Sequence, residues 1–361
     1  MSLSSVAIFL AVLLSLSSVC SAQANTDPPL FPVRIGNQFG YINMRGEVVI
    51  KPQFDDAKSF HGGLARVRTG GRDVTITEGS VERMFGKYGY INKKGEFIVP
   101  PTYDLAQDFS EGLAAVWMST PDGNRYGYIN TKGRTVLEPK YQTAGSFTNG
   151  TADVRMPDDN WGVIDKAGRF IIPPKYEGVF PFFEGIGIAV TLKNKKNSPF
   201  DQELTDWEYE FYDTSGKVIA KPSFFVFGLF ETGLVPIIAK NGMGFVDKGG
   251  NLAIAPVFEK TKGFSEGLAA VRSNKKWGFI DTSGKFVVEP IFDEAYGFSE
   301  GLAAVRLDGK TAFIDKSGKF IIPFQAWDGH AFENGLAFVR KGDSTGYINS
   351  SGQFVWKSTK N

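Results

Sequence analysis

Acidic residues recur along this chain in two settings. Glu111, Glu184, Glu266 and Glu300 each precede a glycine, and Asp104 and Asp293 each follow an aromatic residue. Two carboxyls from neighbouring segments, held about 5–10 Å apart, would have the arrangement of a glycosidase acid pair. A residue needed once for catalysis need not recur, however, whereas one that closes a turn or bridges repeated segments must. The recurrence therefore favours a structural task, and the chain is expected not to be an enzyme. Other chemistry is scarce. His61 and His330 stand far apart at inequivalent positions, and Cys20 is the one cysteine. There is no Gly-rich phosphate loop, no Gly-x-Ser-x-Gly elbow and no His-Glu-x-x-His pair. Neither a metal nor another cofactor is expected.

The elements that carry these acids are repeats. Residues 264–272 (FSEGLAAVR) return unchanged as 298–306, and residues 277–286 (WGFIDTSGKF) have counterparts starting at Phe39, Tyr88, Tyr126 and Trp161. Weaker copies start at Tyr209, Met243, Thr311 and Thr345. Each unit reads as three short extended runs, exemplified by strand A at 268–272, strand B at 277–281 and strand C at 285–289. Between B and C an Asp or Asn is followed three residues later by Gly, as in Asn43/Gly46 and Asp281/Gly284. That is a type I turn closed by a residue at positive φ, hence a tight hairpin with a bulge. A proline such as Pro52 or Pro290 is expected to end strand C. A Phe three before a Gly then marks each connector, at Phe60, Phe109, Phe147, Phe182, Phe230, Phe264, Phe298 and Phe332. We read it as an apolar plug between units, each contributing roughly 1.5–3 kcal/mol on burial.

The aromatic-Gly-aromatic-Ile-Asp/Asn core and the Phe-Ser-Glu-Gly-Leu-Ala-Ala-Val connector resemble the bacterial WG repeat, also called the KWG repeat. The resemblance covers nearly all of residues 30–356. It implies architecture and no particular activity. Glu210 and Ala312 depart from it where the core Gly is expected. The fold expected is all-β, a tandem array of about nine three-stranded antiparallel meanders starting near residues 30, 64, 113, 151, 186, 234, 268, 302 and 336. An open β-repeat superhelix is favoured over β-propeller-like closure, because propeller blades normally carry four strands in about 40 residues.

The repeat varies in one place. From the core aromatic to the Val that ends the next strand A the spacing is 28 positions, as from Phe39 to Val67 and from Trp277 to Val305. The A–B loop, in contrast, is short at Val271–Trp277 and long at 69–87 and 192–208. Insertions confined to one loop of a repeat emerge on one face, often the binding face. The first long loop could form its own hairpin through 74–77. Candidate binding residues on this loop face are Arg72, Asp73, Glu78, Arg83, Trp117, Lys195, Lys196, Asp206 and Trp207. The partner expected is a protein or peptide outside the cytoplasm, with a glycan or cell-wall ligand as the alternative. For the glycan, exposed Trp117, Trp207 and Trp327 would supply stacking surface, although Trp327 lies off the loop face.

The first two dozen residues differ from the rest. An apolar run at 6–16, too short to span a bilayer, leads to Ala22-Gln23-Ala24, the pattern of a signal peptide cut after Ala24. Residues 1–24 are thus expected to be removed, leaving 25–361 as a single thiol-free β domain, exported to the periplasm or beyond. The alternative is a lipoprotein anchored at Cys20, to which Val19 is a poor fit. With 40 basic against 39 acidic residues, the chain offers no field for nucleic acid. No later segment reaches the ~18 uncharged apolar residues of a membrane span. A monomer is expected.

Overall fold

The computed structural model describes residues 28–76, 80–84, 86–193 and 206–358. Residues 1–24, on which the leader reading falls, with Cys20 among them, and Glu78, Lys195 and Lys196 lie outside them. The described chain is all strand and turn, arranged as successive antiparallel sheets joined in chain order, with one extra two-stranded hairpin. It divides into two compact units, one with described residues up to Lys175 and the other with Tyr176–Lys357.

Among the described residues, seven repeat sheets have four strands and two keep the expected three, so the usual repeat has four. In the sheet most like the consensus the order is connector strand Lys260–Ser265, A Leu268–Ser273, B Lys276–Ile280 and C Phe286–Phe292. The connector, which the sequence suggests only as a plug-bearing link, pairs with strand A through Lys260↔Arg272 and Phe264↔Ala269. A register shift between Thr261 and Phe264 interrupts the ladder and hides its alternation. Four-stranded blades are the building unit of β-propellers. The three-stranded count, and with it the case for an open superhelix, is therefore corrected, and the blades match the propeller-like alternative.

The expected B–C hairpin is present. In the consensus sheet the Gly284 N–H donates to Asp281 O at 2.9 Å, and Asp281 Oδ1 accepts from the Ser283 and Lys285 N–H groups at 2.9 and 3.1 Å. Gly284 takes φ 85°, a conformation that favours glycine. Strand C does not stop at its proline. Phe286–Phe292 runs through Pro290, with a bulge between the pairs Phe279↔Val288 and Trp277↔Phe292. Proline is tolerated there because it sits in the bulge of the sheet's last strand. That bulge explains the core glycine: a Cβ on Gly278 would lie 2.5 Å from Val288 O, and one on Gly127 2.6 Å from Leu137 O.

Within each unit successive sheets are joined by apolar layers. One such layer combines Trp277, Phe279, Val288 and Phe292 with Phe298, Ala303, Val305 and Ile314 of the following sheet. The connector Phe is the plug that its repetition suggests. Phe60 packs on Tyr41 at 4.9 Å between ring centroids, Phe109 on Tyr90 at 4.5 Å, Phe264 on Phe245 at 4.8 Å and Phe298 on Phe279 at 5.0 Å. Tilted and edge-on aromatic pairs of this kind add about 0.5–1.5 kcal/mol beyond their buried area.

The recurring acids before glycine also bridge sheets. Glu266 and Glu300 sit at φ 52° and 53°, which costs a non-glycine residue energy. Their carboxylates accept from the backbone N–H of the next sheet's turn, Glu266 from Gly301 at 3.1 Å and Glu300 from Gly335 at 2.9 Å. Glu111 does the same for Gly150 at 3.0 Å. The neighbouring serines complete the clamp, Ser265 Oγ donating to Phe298 O at 2.5 Å and Ser299 Oγ to Phe332 O at 2.7 Å.

One strand A position breaks the pattern. Asp153, in strand A Thr151–Arg155, stands where Ala115, Ala270 and Ala304 stand in other sheets. Burial pushes its carboxyl up to about 6. An acid raised in the folded state carries no penalty below its unfolded value of 3.8, a growing one up to about pH 6, and the full one above. Asp153→Ala is therefore expected to stabilise the protein by up to about 3 kcal/mol at pH 7 and not at all near pH 3.5. Urea melts of both proteins at the two pH values check this, and an equal gain at both would contradict it.

Candidate functional site

The A–B end of each sheet is where chain length varies, and the short loops show its basic construction. In the consensus sheet Asn274 and Lys275 have φ 49° and 64°, the type I′ geometry that suits a two-residue hairpin. The acid after the strand C aromatic pins these loops. Asp293 accepts from the Asp308 N–H at 2.9 Å, Glu259 from Lys275 at 3.0 Å, Glu177 from Leu192 at 3.2 Å and Asp55 from Gly71 at 2.7 Å. Lys276 pairs with Asp293 at 2.6 Å and Lys87 with Asp104. The Lys276 ammonium and the Asp308 N–H hold Asp293 below the usual carboxylate range. Both sets of recurring acids thus have structural tasks. His330 lies flat on Tyr296, with ring centroids 4.5 Å apart, and the Lys262 ammonium is 3.8 Å from the centroid of the same tyrosine ring.

The loop-face residues fall in three places. Arg72, Asp73 and Arg83 belong to the extra hairpin Arg72–Ile76 and Ser80–Met84, whose backbone register pairs position 73 with position 83. That hairpin is the one the sequence suggests near 74–77. Trp117 lies near the end of strand A Leu113–Met118, opposite Tyr126, with its ring edge-on to that tyrosine at 4.7 Å. Asp206 is buried and its carbonyl accepts from the Lys193 N–H at 2.8 Å. Trp207 opens strand B Trp207–Asp213, paired with Leu192. Trp327, half-buried, packs against Phe313 and its neighbours.

Asp206 and Trp207 lead into a feature of the second unit that the loop argument does not anticipate. Strand B of that sheet carries Glu210 where glycine lets strand C approach. Strand C here is cut to Val218–Ala220 and pairs only through Phe211↔Ala220 and Tyr212↔Val218. In the sheets with strand B at Phe39, Tyr88, Tyr126, Met243 and Trp277, strand C pairs again beyond the bulge, as in Trp277↔Phe292 and Met243↔Phe258. Ala312 gives an intermediate case, in which Thr311 pairs with Gln325 and the return is one residue early. Glycine, alanine and glutamate thus form a graded series of obstruction.

Where strand C departs, a cavity of about 820 Å³ opens at the A–B end. Its apolar lining includes Trp207, Tyr209, Phe224, Phe225 and Ile238, and its polar lining Lys193, Glu208, Glu210, Lys221 and Lys240. Trp207 and Tyr209 meet Phe225 edge-on at 6.5 and 5.6 Å. Glu210 accepts from the Tyr176 and Tyr212 hydroxyls at 2.7 and 2.9 Å and pairs with Lys221 at 2.6 Å. Burial opposes its ionisation, but Lys221 and the two hydroxyls outweigh that and hold it below the usual carboxylate range. The sequence signal for this site is Glu210 itself, which reads there only as a departure from the repeat.

The WG containing repeat model matches residues 39–72, 88–116, 126–159, 161–196, 243–277, 277–310 and 312–343. The chain belongs to the WG repeat family. No curated protein matches it. Among solved structures, the crystal structure of a eukaryotic initiation factor is similar in fold, with TM-score 0.62 and 10% identity over 92% of this chain and 96% of that one. Weaker likenesses include the dihydro-heme d1 dehydrogenase NirN (TM-score 0.44, 11% identity, 96% of this chain and 76% of that one) and AztD from Citrobacter koseri (0.42, 8%, 92% and 94%).

Proposed function

We propose that this protein is an exported, non-catalytic repeat scaffold that binds a protein or peptide through the A–B loop ends of its sheets. One observation carries the reading. The connector turns are committed to bridging neighbouring sheets, while the A–B ends carry the long insertions and the cavity at Glu210. The Trp rings weigh against a glycan platform, since Trp117 and Trp207 meet neighbouring rings edge-on and Trp327 is half-buried against Phe313. Among the described residues no helix is long and apolar enough to cross a membrane.

Two measurements test this reading. Intact mass of the product from an exporting host should start at Asn25; a lipid-modified Cys20 start would mean an anchored protein, and a retained Met1 would refute export. Capture from envelope and culture fluid, run beside a glycan array, should yield a protein or peptide partner. Binding to glycans alone would refute the scaffold reading.

A further inference from the structure

The cavity at Glu210 exists because one residue breaks the rule that shapes the other sheets. Where the second half of strand C is missing, Trp207 and Phe224 are left partly exposed. The cavity's volume, about 820 Å³, lies in the range of ligand pockets, which are mostly apolar with a few placed polar groups. Its floor has that character: Trp207, Phe224 and Ile238 are half-buried and rest on the buried Tyr209 and Phe225.

The charges around it decide the ligand. Lys193 pairs with Glu208 at 2.9 Å and Lys221 with Glu210 at 2.6 Å. Lys240, exposed at the end of the next strand A, is the lining lysine left without a carboxylate partner among the described residues. The rim therefore holds one uncompensated cation beside an aromatic floor. An anion placed there gains a charge-assisted contact, whereas a second cation is repelled. From this we infer that the cavity binds a peptide segment presenting a bulky apolar side chain next to a carboxylate. The apolar side chain lies against the partly exposed Trp207, Phe224 and Ile238, and the carboxylate meets Lys240. The inference rests on the proposed reading of the A–B ends and adds the chemistry of the partner.

The test uses the full chain and three N-acetyl dipeptide amides, Phe-Asp, Phe-Lys and Ser-Asp, titrated by ligand-observed NMR. Phe-Asp is expected to bind about tenfold tighter than either of the others, the difference due to one charge-assisted or one buried apolar contact. Lys240→Glu, an exposed change that leaves the floor intact, should reverse the order of Phe-Asp and Phe-Lys. Glu210→Gly combined with Lys221→Ser, which restores the room for strand C without freeing a second cation, should weaken all three. Equal binding of the three peptides, or an order unchanged by Lys240→Glu, overturns the inference. So does displacement of Phe-Asp by a neutral oligosaccharide that binds more tightly and ignores Lys240→Glu. The broader reading fails separately: if glycans alone are captured while the Phe-Asp preference holds, the cavity stands and the scaffold does not. If a protein partner is captured but the preference is absent, the reverse is true.

Discussion

Replacing Phe298 by alanine is expected to destabilise the protein by about 3–5 kcal/mol, the range for emptying a buried aromatic site. Phe298 is 3% exposed, its ring lies 5.0 Å from that of Phe279, and its carbonyl accepts from Ser265 of the preceding sheet. The side chain fills the layer between two sheets. Leu307→Ala, at the half-exposed end of the following strand A, serves as a comparison of similar chemistry and should cost much less. Urea denaturation followed by far-UV dichroism measures both. A loss below about 1 kcal/mol for Phe298→Ala would mean that the sheets are held together by something other than these plugs.

Gly278→Ala should cost about 3 kcal/mol, the upper end for overpacking, because the obstacle is backbone and cannot swing aside. The added Cβ would lie 2.5 Å from Val288 O and 2.8 Å from Pro290 N. The chain already records the responses: at Ala312 the return of strand C is displaced by one residue, and at Glu210 it is lost. Hydrogen exchange should therefore show lost protection in strand C beyond Pro290, with strands A and B of that sheet still protected. Unchanged exchange at Phe292 would contradict this account of the core glycine.

Much of this was legible in the sequence, for physical reasons that differ by element. The B–C hairpins could be read because Asp281 and Gly284 perform a local job at fixed separation. The plugs could be read because a residue that fills the same gap in every unit must recur, as Phe264 and Phe298 do. The fourth strand could not, because the bulge between Thr261 and Phe264 breaks the two-residue alternation that identifies a strand. Pro290 misled for a related reason: it occupies a bulge where no donor is needed, so the strand continues through it. Of the loop-face residues, Asp206 and Trp207 adjoin the cavity. Lys221, Phe225 and Lys240 went unmarked because they are brought to it by the departure of strand C, a consequence of Glu210 that only the paired backbone reveals.

The central claim is that an invariant frame carries stability while the A–B ends carry recognition. Exchanging residues 70–86 and 193–206 for the two-residue turn Asn274-Lys275 tests it most directly, since strands A and B already meet at Thr69↔Lys87 and Leu192↔Trp207. Stability should change by about 1 kcal/mol or less, because loop closure depends only weakly on length. Binding to the partner captured by the unaltered protein should be lost. A folded exchanged protein that binds that partner with full affinity would contradict the claim and return the search to the repeated frame itself.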